Sequence, residues 1–167
     1  MNTTTSTRSL TDHDFAAPID DRYLEDYTAG AVYEYGYRTV TQDEILSFAA
    51  EFDPQPIHLD PQFAESGPFR GLIASGWHTG ALFTRLYVDH YVSGVAGLAS
   101  PGIDELRWPA PLRPGDSVRI RCTVLESRIS RTKPDRGLVR TRGQLINADD
   151  QDVLRLDLMN LFARRPG

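Results

Sequence analysis

Two residues able to exchange protons stand five positions apart in the run Phe52-Asp53-Pro54-Gln55-Pro56-Ile57-His58. Asp53 offers a carboxylate and His58 an imidazole. General acid–base chemistry uses such a pair to take a proton from water and to give one back. On a regular helix this spacing would turn the two side chains about 140° apart. Pro54 and Pro56 each remove a backbone donor and bias Asp53 and Gln55 toward extended backbone. The segment is therefore expected to bend as a loop rather than a helix, with Asp53 and His58 facing one small molecule such as a water.

Elements that would hold this loop are legible on both sides of it. Residues 30–40 are rich in Tyr and Val and read as a strand. Thr41 and Glu44 have the spacing of a capping box, and Ile45, Phe48, Ala49 and Phe52 follow on one helical face. That helix should end near Phe52. Asp60-Pro61 opens a short second helix, which Ser66-Gly67-Pro68 stops. Residues 72–92 form a long apolar segment with sparse polar residues, which predicts a helix buried on most sides.

Beyond Val95 the pattern changes to strands over residues 102–108, 117–131, 138–146 and 153–164. Alternation is clearest where Val118, Ile120, Cys122 and Val124 share one face and Arg119, Arg121 and Thr123 the other. Pro134-Asp135-Arg136-Gly137 and residues 147–152 are the turns between the later strands. The plan is α+β, an antiparallel sheet curled round one central helix. Open sheet edges favour pairing between two copies of the chain.

Composition narrows the function classes. The chain has 167 residues, suited to one domain, with 40% hydrophobic residues and a net charge of −5. Acidic balance weighs against nucleic acid as a partner. Residues 1–22 are expected to be a flexible tail, and 23–167 a single domain. No apolar run approaches a membrane span, and the start of the chain lacks the apolar core of a secretory signal, so a cytoplasmic protein without membrane contact is expected. Cys122 is the one cysteine and should be a buried structural thiol. No Cys or His spacing reads as a metal site.

The runs FDPQPIH, LIASGWHTGAL and GIDELRWPAPLRPGDSVRI, in that order, resemble the MaoC-like, or (R)-specific enoyl-CoA hydratase, family with the hot-dog fold. The likeness extends from about Ala31 to the C-terminus. Asp53, Pro56, Ile57 and His58 match the family pattern Asp-x-Asn-Pro-Ile/Val-His in register. Residues 71–82 match the entry to its central helix, and residues 111–116 a turn common among its members.

The resemblance implies a hydro-lyase that adds water to a trans-2-enoyl-CoA, or dehydrates an (R)-3-hydroxyacyl-CoA. By carry-over, Asp53 is the base, and His58 orients the water and helps to shuttle its proton. The backbone amide of Gly76 matches the oxyanion position, with Ser75 beside it as a substrate contact or a plain helix cap. Gln55 stands where the family has Asn. It keeps the amide but adds a methylene, which changes how Asp53 is supported. The family resemblance implies no metal and no cofactor. Coenzyme A, or acyl carrier protein in its place, enters as part of the substrate, and a homodimer or dimer of dimers is the expected assembly.

Blander readings stand beside these. Asp53 alone is an ordinary turn residue, and Gly76 can serve close packing. His78 and His90 are read as structural, Trp77 and Phe83 as core, Asp60 as a helix cap, and Arg70 has no assigned role. Two other functions fit the same fold: a hot-dog thioesterase, and a non-catalytic acyl-binding or partner subunit.

Overall fold

Tyr33 and Tyr35 alternate inward along β1 (Val32–Thr39) and are almost wholly buried. The structure, a computed structural model, describes residues 8–167. Thr41 then caps α1 (Gln42–Phe52): its hydroxyl accepts from the Glu44 amide, and the Glu44 carboxylate accepts from the Thr41 amide. This closes the capping box that the sequence shows. Ile45 and Ala49 bury one side of α1, and Asp53 is its C-cap. Two short helices follow, α2 (Pro56–Leu59) and α3 (Pro61–Ser66). Asp60 caps α3 by accepting from the amides of Gln62 and Phe63.

α4 (Gly76–His90) is the long helix. β2 (Gly97–Arg107), β3 (Ser117–Ile129), β4 (Arg136–Ile146) and β5 (Asp152–Ala163) complete the chain. The five strands form one antiparallel sheet in the order β1-β3-β4-β5-β2. Leu82, Phe83, Leu86 and Tyr87 of α4 pack with Val118, Ile120, Cys122, Val139, Leu145, Leu154 and Leu156 in one apolar core. Gly143 makes the closest approach possible, because a Cβ there would run into the Phe83 ring. Each Val, Leu, Ile and Phe side chain among them contributes about 1.5–3 kcal/mol by leaving water. The fold is therefore the α+β, sheet-around-helix plan expected from the sequence, and Cys122 is a buried free thiol.

Four expectations need correction. Residues 72–75 are not helical, since the Ala74 amide bonds to the Leu112 carbonyl and Ser75 caps α4 by accepting from the Trp77 amide. α4 is not buried on most sides: Trp77 and Val88 are 64% and 53% exposed. Its buried residues fall at 78, 79, 82, 83, 86, 87 and 90, the period of a one-sided helix. His58 lies on the single turn α2 and not in a loop, because Pro56 at the first helical position loses only an amide that had no intrahelical partner. β2 begins at Gly97, ahead of the expected 102, since Gly97 and Ala99 already pair with β5. Pro101 hid this, and a sheet edge tolerates it.

The tail reading also changes. Residues 1–7 lie outside the described residues. Residues 8–22 are fastened to the domain: the Leu10 amide bonds to the Glu34 carbonyl, and Phe15 stacks on Tyr33 at 3.9 Å between centroids. Arg22 is buried, donating to the carbonyls of His90 and Tyr91 while its guanidinium lies over Phe15. Scattered contacts of this kind leave no periodic trace in the sequence.

Candidate active site

Where α1 ends, the chain turns at Asp53 and points its carboxylate toward the start of α4. Three side chains converge there. The Ser75 hydroxyl donates to Asp53 Oδ2 at 2.6 Å, and the Gln55 amide donates to Asp53 Oδ1 at 2.7 Å. His58 Nε2 stands 3.5 Å from the same Oδ2. The donated hydrogen bonds, Ser75 first and Gln55 second, hold the Asp53 carboxyl below the usual aspartate range.

The other nitrogen of His58 fixes its tautomer. Nδ1 lies 2.8 Å from the Ile73 carbonyl oxygen, which can only accept, so Nδ1 carries the hydrogen. In the neutral ring, Nε2 then presents a lone pair toward a carboxylate oxygen that is also an acceptor. Two acceptors 3.5 Å apart are suited to a shared hydrogen donor between them. A water can donate one hydrogen to each and leave its own lone pairs directed outward.

The pair opens into a cleft of about 320 Å³ lined by Gln55, Phe69, Ile73, Gly76, Thr79 and the 108–112 loop, among others. Asp53 and His58 are largely shielded, with side chains 17% and 7% exposed. Trp77, read from sequence as core, instead lines this cleft, whereas Phe83 is core as expected. Gly76 is the first residue of α4, so its amide has no acceptor within the helix and sits at the positive end of the helix dipole. Ser75 caps α4, one of its two expected roles, and it also holds Asp53, which the sequence did not suggest.

The structure thus brings together Asp53, His58, Ser75, Gln55 and Gly76. Gln55, the departure from the expected pattern, reaches the carboxylate from an exposed position. Sequence reasoning missed the Ile73 carbonyl and the wall formed by Trp108 to Leu112. A backbone acceptor has no sequence signal. The wall could have been suspected from the proline-rich run that separates β2 from β3.

An antiparallel sheet curled against one long helix, with an Asp–His cleft at the helix start, is the architecture of a hot-dog domain. The chain belongs to the MaoC-like domain family, whose model matches residues 27–143. A 3-hydroxyacyl-thioester dehydratase, dehydratase Z of Mycobacterium tuberculosis, is 45% identical over 89 residues, which are 52% of this chain and 59% of that protein. This chain therefore spans less than two thirds of that relative's length. The crystal structure of a MaoC-like dehydratase from Rhodospirillum rubrum superposes with a TM-score of 0.80 and 38% identity, covering 87% of this chain and 99% of that one. An (R)-hydratase, PhaJ1 of Pseudomonas aeruginosa, shares the fold at a TM-score of 0.63 and 24% identity, with 86% of each chain covered.

Proposed function

We propose that the protein is a hydro-lyase that reversibly adds water across the double bond of a trans-2-enoyl thioester, forming an (R)-3-hydroxyacyl thioester. The observation that carries this reading is the His58–Asp53 geometry. Nδ1 is committed to Ile73, and Nε2 and Oδ2 are left as two acceptors facing one cleft. Membership in a family that includes a 3-hydroxyacyl-thioester dehydratase supports the same reaction class.

Water held between Asp53 and His58 attacks C3 of the substrate. Asp53 takes one proton as the C3–O bond forms, with His58 orienting the water. The electron pair of the double bond moves to the thioester oxygen as an enolate. The Gly76 amide, at the helix start, stabilises that oxygen. The enolate then collapses and C2 takes the proton back from the pair. One water is consumed, with hydroxyl on C3 and hydrogen on C2. Both arrive from the same side because one pair of residues handles both, so addition is syn. Ser75 and Gln55 keep Asp53 ionised and aimed.

Coenzyme A, or acyl carrier protein, is the carrier in this proposal and belongs to the substrate. No separate cofactor or metal takes part. The assembly proposed is a homodimer: β2 is a sheet edge, and most of its residues are exposed in the single chain.

The test is a panel of enoyl-CoA substrates of graded length, followed by loss of the enoyl absorbance and by product chirality. A thiol reagent run in parallel detects thioester hydrolysis. Enoyl loss without thiol release, giving the (R)-alcohol, is expected. Thiol release with the double bond intact would replace this reading with a thioesterase. Acyl-CoA binding without turnover would replace it with a partner subunit.

A further inference from the structure

Four consecutive residues, Ile73 to Gly76, hold the site from one side. The Ile73 carbonyl accepts from His58, the Ala74 amide donates to Leu112, the Ser75 hydroxyl donates to Asp53, and the Gly76 carbonyl accepts from the Trp108 indole at 2.9 Å. Two of these contacts reach the proposed acid–base pair. The other two reach the loop that follows β2. That loop therefore grips the segment at both Ala74 and Gly76.

Trp108 does more than donate a hydrogen bond. A Cβ on residue 76 would lie 2.6 Å from Trp108 Cε2 and 2.9 Å from Cζ2, so the indole lies flat against the one residue there without a side chain. The Trp108 and Trp77 rings also meet in a T-shaped contact at 5.7 Å between centroids. The requirement for glycine at position 76 thus comes first from this indole, whose ring atoms are the nearest neighbours a Cβ would meet. The bond holds the Gly76–Trp77 peptide, and the ring packs beside the Gly76 Cα that joins it to the peptide carrying the Gly76 amide.

We propose that Trp108 is a positioning residue for the reaction. Its indole N–H fixes the Gly76 carbonyl and its ring packs beside the Gly76 Cα, and through that Cα they keep the Gly76 amide of the preceding peptide aimed at the place where the thioester oxygen gains charge. The inference rests on the hydro-lyase reading and deepens it. Trp108 acts through Gly76 on a charge that develops only as the reaction proceeds. Its loss should therefore lower kcat more than it alters KM.

The experiment compares wild type, Trp108→Phe, Gly76→Ala and the double variant Gly76→Ala/Trp108→Ala on the best enoyl-CoA of the panel. Phe keeps a ring against Gly76 but removes the donor, so kcat should fall about 2- to 13-fold, the scale of one hydrogen bond, with KM within about twofold. Thermal melting of this variant should stay close to wild type. Gly76→Ala should melt well below wild type because of the clash. The double variant should regain melting temperature without regaining kcat.

Wild-type kcat in Trp108→Phe overturns the proposal. So does a purely KM-type defect, or recovery of full kcat in the double variant. A wild-type protein that turns over no enoyl thioester sinks the hydro-lyase reading itself, and Trp108's role with it. The two failures are therefore told apart by the wild-type measurement.

Discussion

The cleft and the outer face of the sheet hold carboxylates by opposite means. On the face turned away from α4, Asp157 is gripped by the Arg142 fork at 2.8 and 2.9 Å, and Glu34 is paired with both Arg119 and Arg121. In the cleft, Asp53 is held by the neutral donors Ser75 and Gln55. Both arrangements keep an aspartate below its usual range: the guanidinium hydrogen bonds lead at Asp157, and the hydroxyl and amide at Asp53. The consequences differ. A guanidinium fork cancels the charge and occupies both oxygens. Neutral donors aim the carboxylate while leaving its negative charge and a lone pair for a water.

Three histidines draw the same contrast. His58, His78 and His90 are buried to similar degrees. Only His58 has a carboxylate across from one nitrogen and a carbonyl fixing the other. His78 Nδ1 and His90 Nε2 are buried without a partner, and burial pushes both rings toward the neutral form. Burial is common to all three rings; a committed tautomer facing a second acceptor is what sets His58 apart.

The largest expected effect is from Asp53→Asn, which keeps the shape and removes the proposed base. Hydration kcat/KM should drop by about 10²–10⁴ with the melting temperature little changed. Ser75→Ala should come next. Losing the 2.6 Å bond should cost about tenfold in kcat, and losing the cap of α4 about 1 kcal/mol in stability, read by denaturant unfolding.

The same variant has a signed pH effect. Ser75 is the leading cause that lowers the Asp53 pKa, so its removal should move the acid limb of the pH–rate profile to higher pH. In wild type that limb should lie below the ordinary aspartate value. Gln55→Ala should cost only about two- to threefold in kcat, because an exposed amide competes with water.

Asp157→Asn should leave kcat untouched and reduce stability by about 1 kcal/mol or less, since Arg142 is partly solvated. The Asp157 pKa is depressed in the fold. Its contribution to stability is therefore present above the unfolded value of about 3.9 and lost as pH falls through the lower folded value. An Asp157 variant with an Asp53-like rate defect would erase the contrast between the two regions.

Much of this was legible in the residues. The capping box, the Asp60 cap and the alternation of β3 are local patterns, and each formed where local physics puts it. The acid–imidazole pair was legible as a spacing, although Pro56 started a helical turn instead of ruling one out. What escaped was non-local or had no side chain. The Ile73 carbonyl became a site group only through the return of the chain from α2 to the segment before α4. Trp77 looked like core because apolar composition does not say which side of α4 the sheet will cover. The fastening of residues 8–22 rests on scattered single contacts, from the Leu10 amide, Phe15 and Arg22 among others, which no period reveals.

The most direct test is the double-mutant cycle of Asp53→Asn and His58→Gln on hydration of one enoyl-CoA, followed by enoyl absorbance. If the two residues work one water as a unit, each single variant should lose nearly all of the rate and the double variant little more. Single variants that retain substantial activity, or losses that multiply fully in the double, would mean that the carboxylate and the imidazole do not share that molecule.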